Sequence, residues 1–126
     1  MLTENEISRI VVDCAYRIHK NLGPGLLESA YEECLFFELL REGLAVEKQK
    51  PLPLVYQDVR LEVGYRIDLL VDRRVVVEIK SVEALTEVHV AQVLTYLKFS
   101  GCKLGLLINF NVTLIKNGIR RVVLGL

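Results

Sequence analysis

Three charged residues lie inside apolar segments that otherwise have the character of buried β-strands. The stretch YRIDLLVDRRVVVEIKS covers residues 65–81 and contains Asp68, Glu78 and Lys80 between aliphatic neighbours. The two apolar runs are typical of strands, and the polar DRR segment between them is typical of a turn. Ionised groups are costly inside a sheet unless they are paired or bind a metal. Any fold proposed for this chain must therefore account for these three charges.

A hairpin over this stretch would bring the charges together. If its turn is centred on Arg73, Asp68 lies directly opposite Glu78 in an antiparallel pair. Opposed residues share one face of the sheet, with Cβ atoms about 4.5–5.5 Å apart. Lys80 follows Glu78 by two residues and therefore points to the same face. A shift of one residue in the register would separate the two acids, so the predicted site depends on this pairing.

Two carboxylates at this separation repel each other unless a proton or a cation lies between them. A few hard oxygen ligands with room for water suit Mg²⁺ or Mn²⁺. Such an ion can activate water and stabilise charge on a phosphoryl oxygen. Lys80 could orient the water or neutralise the developing charge. The alternative is a structural ion pair at the end of the sheet, in which Lys80 neutralises one acid.

The periodicity of apolar residues predicts three helices. Spacings of three and four residues mark helices over residues 4–20, 26–42 and 86–99. Thr3 and Glu6 form a capping-box pattern at the first start. The second helix is apolar over much of its circumference, so we expect it to be well buried.

Strand patterns fill the rest of the chain. They occur between residues 45 and 81 and again over residues 103–110, and Pro51 and Pro53 suggest an edge or a bulge. Residues 111–126 predict a terminal hairpin that turns at Asn117-Gly118. This order predicts an α/β fold with one central mixed β-sheet flanked by helices.

Composition limits the class of protein. A length of 126 residues predicts a single domain, and 52% hydrophobic residues argue against disorder. The apolar runs are far shorter than the roughly 20 residues of a membrane span, so we expect a soluble, cytoplasmic protein. The three cysteines have no CxxC spacing and predict neither disulfides nor a zinc site. The 16 basic and 16 acidic residues cancel, which weakens but does not exclude binding to nucleic acid.

Four further polar residues are candidates for the same site. Glu28 begins the second helix, where it could either stabilise the helix dipole or supply a third carboxylate, and Tyr31 lies one turn further on the same face. In the third helix, Gln92 and Tyr96 have the spacing of neighbours on one face. Gln92 could equally be a satisfied amide in the core.

Three motifs together resemble a known family. GLLESAY, with Gly25, Glu28 and Tyr31, resembles the pattern that names the GxxExxY proteins, which are placed in the PD-(D/E)xK nuclease-like superfamily. IDLLVDRRVVVEIKS resembles the central motif of that superfamily, and QVLTYLK resembles the Gln-x-x-x-Tyr motif of several nuclease branches. The resemblance covers almost the whole chain and implies a restriction-endonuclease-like core over residues 1–126.

The resemblance also implies roles for individual residues. Asp68 and Glu78, with Glu28 as a further candidate, would bind Mg²⁺ or Mn²⁺, and Lys80 would be the catalytic lysine. Gln92, Tyr96 and Tyr31 are assigned to the binding of substrate.

The implied function is a metal-dependent nuclease that hydrolyses phosphodiester bonds, in DNA rather than RNA. The alternative is a non-catalytic module with a nuclease-like fold that binds nucleic acid or another protein. The basic candidates for phosphate contacts are Lys48, Lys50, Arg66, Arg73 and Arg74, each of which could instead be a solvated surface charge. The C-terminal segment IRRVVLGL could form a homodimer interface, or it could complete the sheet of its own chain.

Overall fold

Three α-helices, seven β-strands and one 3-10 helix make up the computed structural model, which describes residues 1–126. In chain order they are α1 (Glu4–Leu22), α2 (Glu28–Arg41), β1 (Val46–Pro51), β2 (Leu54–Tyr56), β3 (Val59–Leu61), β4 (Arg66–Val71), β5 (Val75–Lys80), α3 (Glu87–Ser100), β6 (Leu104–Asn109), the 3-10 helix (Ile115–Gly118) and β7 (Ile119–Val123). None of the helices has the length and apolar character that crossing a membrane requires.

Five of the strands form one mixed sheet in the order β1-β4-β5-β6-β7. Neighbouring strands are antiparallel except β5 and β6, which are parallel and are joined by α3. Parallel neighbours need such a crossover, since a tight turn cannot connect them. β2 and β3 form a separate two-stranded sheet. The α/β fold with a central mixed sheet flanked by helices is therefore confirmed.

Local signals at the ends of the helices explain where they begin and stop. At the start of α1 the backbone N–H of Thr3 donates to Glu6 Oε1 (2.9 Å), and the N–H of Glu6 donates to Thr3 Oγ1 (3.2 Å). This is the predicted capping box, and it satisfies two N–H groups that have no partner within the helix. Gly101 has a φ of 78° directly after α3, the left-handed conformation that glycine adopts at helix ends.

The second helix is less buried than the sequence suggests. Its buried side chains are Tyr31, Leu35 and Leu39, whereas Phe37 is 58% exposed. The expected burial over most of the circumference is therefore wrong. α2 packs on the sheet and against α1, and its exposed side includes Phe37 and Leu40.

The core consists of two clusters, one on each face of the sheet. The larger has 19 buried residues and includes Val11 of α1, Leu35 of α2 and Leu69 of β4. The smaller has 10 buried residues and includes Val93 and Tyr96 of α3. α1 and α2 thus cover one face of the sheet, and α3 covers the other.

The predicted terminal hairpin is wrong. Residues Ile115–Gly118 form a 3-10 helix, and β7 pairs with β6, with Leu104 opposite Val123 and Ile108 opposite Ile119. Gly118 is required for a different reason, because a Cβ atom there would lie 2.1 Å from the carbonyl oxygen of Asn109. The C-terminal strand therefore completes the sheet of its own chain.

Candidate active site

The hairpin of β4 and β5 has the predicted register. Leu69 pairs with Val77 and Val71 pairs with Val75, which centres the turn on Arg73. Asp72 and Arg73 both have positive φ, of 50° and 56°, as tight hairpin turns require. The ladder of paired residues ends at Leu69 and Val77. The next residue on β4 is Asp68, and the next residue on β5 is Glu78.

At that position the two strands are joined by hydrogen bonds from backbone N–H groups to carboxylates, instead of by backbone–backbone hydrogen bonds. The N–H of Asp68 donates to Glu78 Oε1 (3.2 Å), and the N–H of Ile79 donates to Asp68 Oδ2 (2.8 Å). Along β5 the alternation of side chains places Glu78 with Val76, whose side chain belongs to the cluster under α3. β4 departs from this alternation at Asp68, because Ile67 and Leu70 both belong to that cluster. The two acids therefore meet where the strands separate, at the irregular point of β4.

The pKa of the Glu78 carboxyl is strongly perturbed. Glu78 is only 3% exposed. Burial, together with the negative charge of Asp68, raises the pKa of Glu78 to about 9. In the absence of a cation, the Glu78 carboxyl is therefore protonated at neutral pH. Two hard oxygen ligands that repel each other when both are ionised fit Mg²⁺ or Mn²⁺.

Lys80 lies beyond the acids on β5 and makes no ion pair. Its ammonium is within 4 Å of no carboxylate, since all eight ion pairs of the chain involve other residues. Its positive charge lowers the pKa of Glu78, but burial outweighs this effect. The alternative in which Lys80 neutralises one acid at the end of the sheet is therefore not what the structure shows.

Glu28 is next to the site but outside the acid pair. Its Oε2 accepts a hydrogen bond from the N–H of Ser81 (3.1 Å), and Ser81 Oγ donates to the carbonyl of Leu26 (2.7 Å). These bonds fasten the start of α2 to the chain that follows Lys80. No three acidic, histidine or cysteine side chains lie where they could bind one ion together. The structure thus brings Asp68 and Glu78 together without Glu28.

Tyr31 lies in the core instead of facing an opening. It is fully buried and stacks on Phe110, with ring centroids 4.4 Å apart. Its hydroxyl donates to the carbonyl of Gly23 (2.6 Å) and accepts from the N–H of Leu26 (3.2 Å). Tyr31 therefore orders the loop that positions Glu28.

Gln92 and Tyr96 are brought together on α3. Gln92 Nε2 donates to the hydroxyl of Tyr96 at 3.0 Å. Burial, together with the negative charges of Glu78 and Asp68, raises the pKa of Tyr96 to about 12. Tyr96 belongs to the same buried cluster as Ile67 of β4 and Val76 of β5, so this part of α3 packs against the strands that carry the acids.

Two residues of the site are absent from the sequence-based candidates. Gln49 Nε2 donates to Glu32 Oε1 (2.7 Å) and to Asp68 Oδ1 (3.3 Å), so one amide bridges two acids. Gln49 has a φ of 54°, which is rare for a residue other than glycine and often occurs at functional sites. Glu32 could have been found from its position one helical turn after Glu28, whereas no local pattern predicts the conformation of Gln49.

Most of the basic candidates for phosphate contacts are already paired with acids. The pairs are Lys48–Glu33, Lys50–Glu47, Arg73–Glu47 and Arg74–Glu4. Among the five candidates only Arg66 makes no ion pair. Four of the five candidates are therefore engaged with acids in this conformation, and Arg66 is the candidate whose charge is free to meet a phosphate.

Comparison with known proteins agrees with the geometry. The family model described as the PD-(D/E)XK nuclease superfamily matches residues 5–122, which include the hairpin, Glu28 and the Gln92–Tyr96 pair. No curated protein and no solved structure matches the chain. Since the family model spans nearly the entire chain and the acids and lysine of its name lie together on β4 and β5, the protein belongs to the PD-(D/E)XK nuclease superfamily.

Proposed function

We propose that the protein is a nuclease that hydrolyses phosphodiester bonds in DNA with the help of Mg²⁺ or Mn²⁺. In this proposal, residues 1–126 form a single domain. The observation that carries the proposal is the meeting of Asp68 and Glu78 where the hairpin strands separate. Membership of the superfamily supports a nucleic-acid substrate and a divalent metal. The GLLESAY segment further supports the GxxExxY branch.

The acids have a defined task in this proposal. Asp68 and Glu78 would hold the ion through their carboxylate oxygens, and Glu78 would release its proton when it does so. A divalent cation would supply Lewis acidity toward the phosphodiester and toward water. Gln49 keeps one oxygen of Asp68 in place, and the N–H of Ile79 holds the other.

The neighbouring residues would act on the substrate. The unpaired ammonium of Lys80 can stabilise negative charge on the phosphoryl group, or orient water by donating a hydrogen bond. Gln92 and Tyr96 present an amide and a hydroxyl beside the acids, where they can bind the sugar-phosphate chain. Glu28 and Tyr31 would order the loop between α1 and α2 next to Ser81.

A cleavage assay with matched variants tests the proposal. Single-stranded, duplex and branched DNA, and RNA, are incubated with the protein in Mg²⁺, Mn²⁺ or EDTA. We expect cleavage only with metal, and a loss of about 100- to 1000-fold for Asp68→Asn. The control is Asp13→Asn, which removes an exposed carboxylate on α1 and should cleave normally. Absence of cleavage of every substrate in either metal would contradict the proposal.

The second candidate is a non-catalytic module with a nuclease-like fold that binds another protein. It is favoured by the pairing of four basic residues with acids and by the net charge of zero. This candidate predicts neither metal binding nor cleavage, and it predicts that Asp68→Asn changes only stability.

A further inference from the structure

An aromatic cavity lies beside the acid pair, between the start of β4 and the exposed side of α3. It measures about 270 Å³ and is lined by Tyr65, Val88, Ala91, Gln92, Thr95 and Tyr96. The rings of Tyr65 and Tyr96 are 6.4 Å apart and tilted by 59°. No charged residue lines the cavity.

The cavity adjoins the site directly. Tyr65 precedes Asp68 by three residues and leads into β4. The other wall contains the Gln92–Tyr96 pair, and Tyr96 packs in the same buried cluster as Ile67 and Leu70, which lie on either side of Asp68 along β4. A molecule whose phosphodiester reaches Asp68 and Glu78 would therefore place its neighbouring group over this cavity.

The lining presents apolar surface to solvent. Tyr65 is 45% exposed and Val88 is 75% exposed, and both lie at the opening. The hydroxyl of Tyr65 makes no hydrogen bond within the chain, so the position of its ring does not depend on that group. The amide of Gln92 and the hydroxyl of Thr95 add polar groups at the walls. Flat apolar surface with a few polar groups at the edge is complementary to a nucleobase.

The charge distribution indicates which nucleic acids can use this surface. Affinity for a duplex depends largely on contacts between phosphates and basic side chains. Here four of the five basic candidates are paired with acids. Stacking on aromatic rings is the other main source of affinity, and it requires a base that is not already stacked in a duplex.

We propose that this cavity binds an unpaired nucleobase next to the phosphodiester at the acid pair. The inference rests on the proposed nuclease function and names its substrate class: single-stranded nucleic acid, or a duplex with unpaired bases beside the site. Tyr65 is the residue that selects this class, because its exposed ring provides the stacking surface that a paired base cannot reach.

Binding measurements without cleavage test the proposal. The protein carries Asp68→Asn, and fluorescence anisotropy follows a labelled single strand and the blunt duplex of the same sequence. We expect tighter binding of the single strand, and a loss of about tenfold for Tyr65→Ala with that strand alone. Tyr65→Phe should keep the affinity. Tyr56→Ala is the matched control, since Tyr56 is also exposed but lies on β2, outside the cavity.

An abasic single strand adds a second readout. Removal of one base at successive positions should weaken binding at one position, and Tyr65→Ala should abolish that position dependence. The proposal is overturned if the duplex binds as tightly as the single strand, if neither binds, or if Tyr65→Ala weakens both equally. Circular dichroism of the variant checks its folding.

The two proposals fail in different ways. If the protein binds single strands through Tyr65 but never cleaves them, the base-binding proposal stands and the nuclease proposal is wrong. If the protein cleaves, but Tyr65→Ala leaves its preference between single strand and duplex unchanged, the nuclease proposal stands and the base-binding proposal is wrong.

Discussion

The two faces of the central sheet differ in what they bury. The face under α1 and α2 carries the larger cluster, of 19 buried hydrophobic residues. The face under α3 has a smaller cluster of 10, and along β5 the same face presents Glu78 and Lys80. β5 contributes to both, with Val75, Val77 and Ile79 on one side and Val76, Glu78 and Lys80 on the other.

This difference shows how a small sheet can contain a buried acid. The α1/α2 face supplies apolar burial that stabilises the strands, so the α3 face can hold groups that destabilise them. Substitutions on the first face should therefore change the free energy of unfolding, and substitutions at the charged positions should change activity more than stability.

The largest effect on stability is expected from the first face. Leu106→Ala, at a buried position in the larger cluster, should lower the free energy of unfolding by about 2–5 kcal/mol because it leaves a cavity. Urea unfolding followed by circular dichroism measures the loss. Leu114→Ala makes the same chemical change at an exposed position and should cost far less. Equal losses at both positions would mean that this face does not carry the stability.

A substitution at Lys80 should give the opposite pattern. Lys80→Met is expected to reduce cleavage by about 100-fold or more. It should leave the free energy of unfolding within about 0.5 kcal/mol, because the ammonium makes no ion pair. Single-turnover cleavage and urea unfolding measure the two quantities. Lys103→Met, at an exposed lysine outside the site, should change neither quantity. Full activity of Lys80→Met would show that Lys80 has no role in cleavage.

Glu78 should make stability depend on pH when no metal is present. Its pKa is raised from 4.5 to about 9, so the folded state binds the proton more strongly than the unfolded state. The resulting contribution is complete below pH 4.5 and is lost as the pH rises toward 9. Glu78→Gln should therefore remove this fall in stability, as measured by urea unfolding in EDTA from pH 5 to 9. An unchanged slope in the variant would contradict the shift.

The smallest effect is expected at Gln49. Gln49→Gly removes the amide that holds Asp68 and relieves the positive φ, so we expect cleavage to fall a few-fold and stability to change by less than about 1 kcal/mol. Gln57→Gly is a close control, because Gln57 also has a positive φ, of 49°, but lies in the turn between β2 and β3. Equal effects of both variants on cleavage would argue against a positioning role for Gln49.

Local sequence signals predicted the parts of the fold that local interactions decide. The capping box at Thr3 and the turn at Asp72–Arg73 involve residues close in sequence, and both are confirmed. The pairing of Asp68 with Glu78 follows from that turn, which explains why the centre of the site was predictable.

Contacts between distant segments explain the rest. Asn117-Gly118 has the composition of a hairpin turn, but the packing of Gly118 against Asn109 decides its structure. The bridge from Glu32 through Gln49 to Asp68 joins three elements, and nothing in the pattern of any one of them reveals it. The exposure of Phe37 likewise depends on how α2 lies on the sheet.

The central claim is that Asp68 and Glu78 form a site for a divalent cation. Calorimetric titration of Mn²⁺ into the wild-type protein, Asp68→Asn and Asp13→Asn tests it most directly. We predict binding to the wild-type protein and to Asp13→Asn, and none to Asp68→Asn. Absence of binding to the wild-type protein, or equal binding to all three, would contradict the claim.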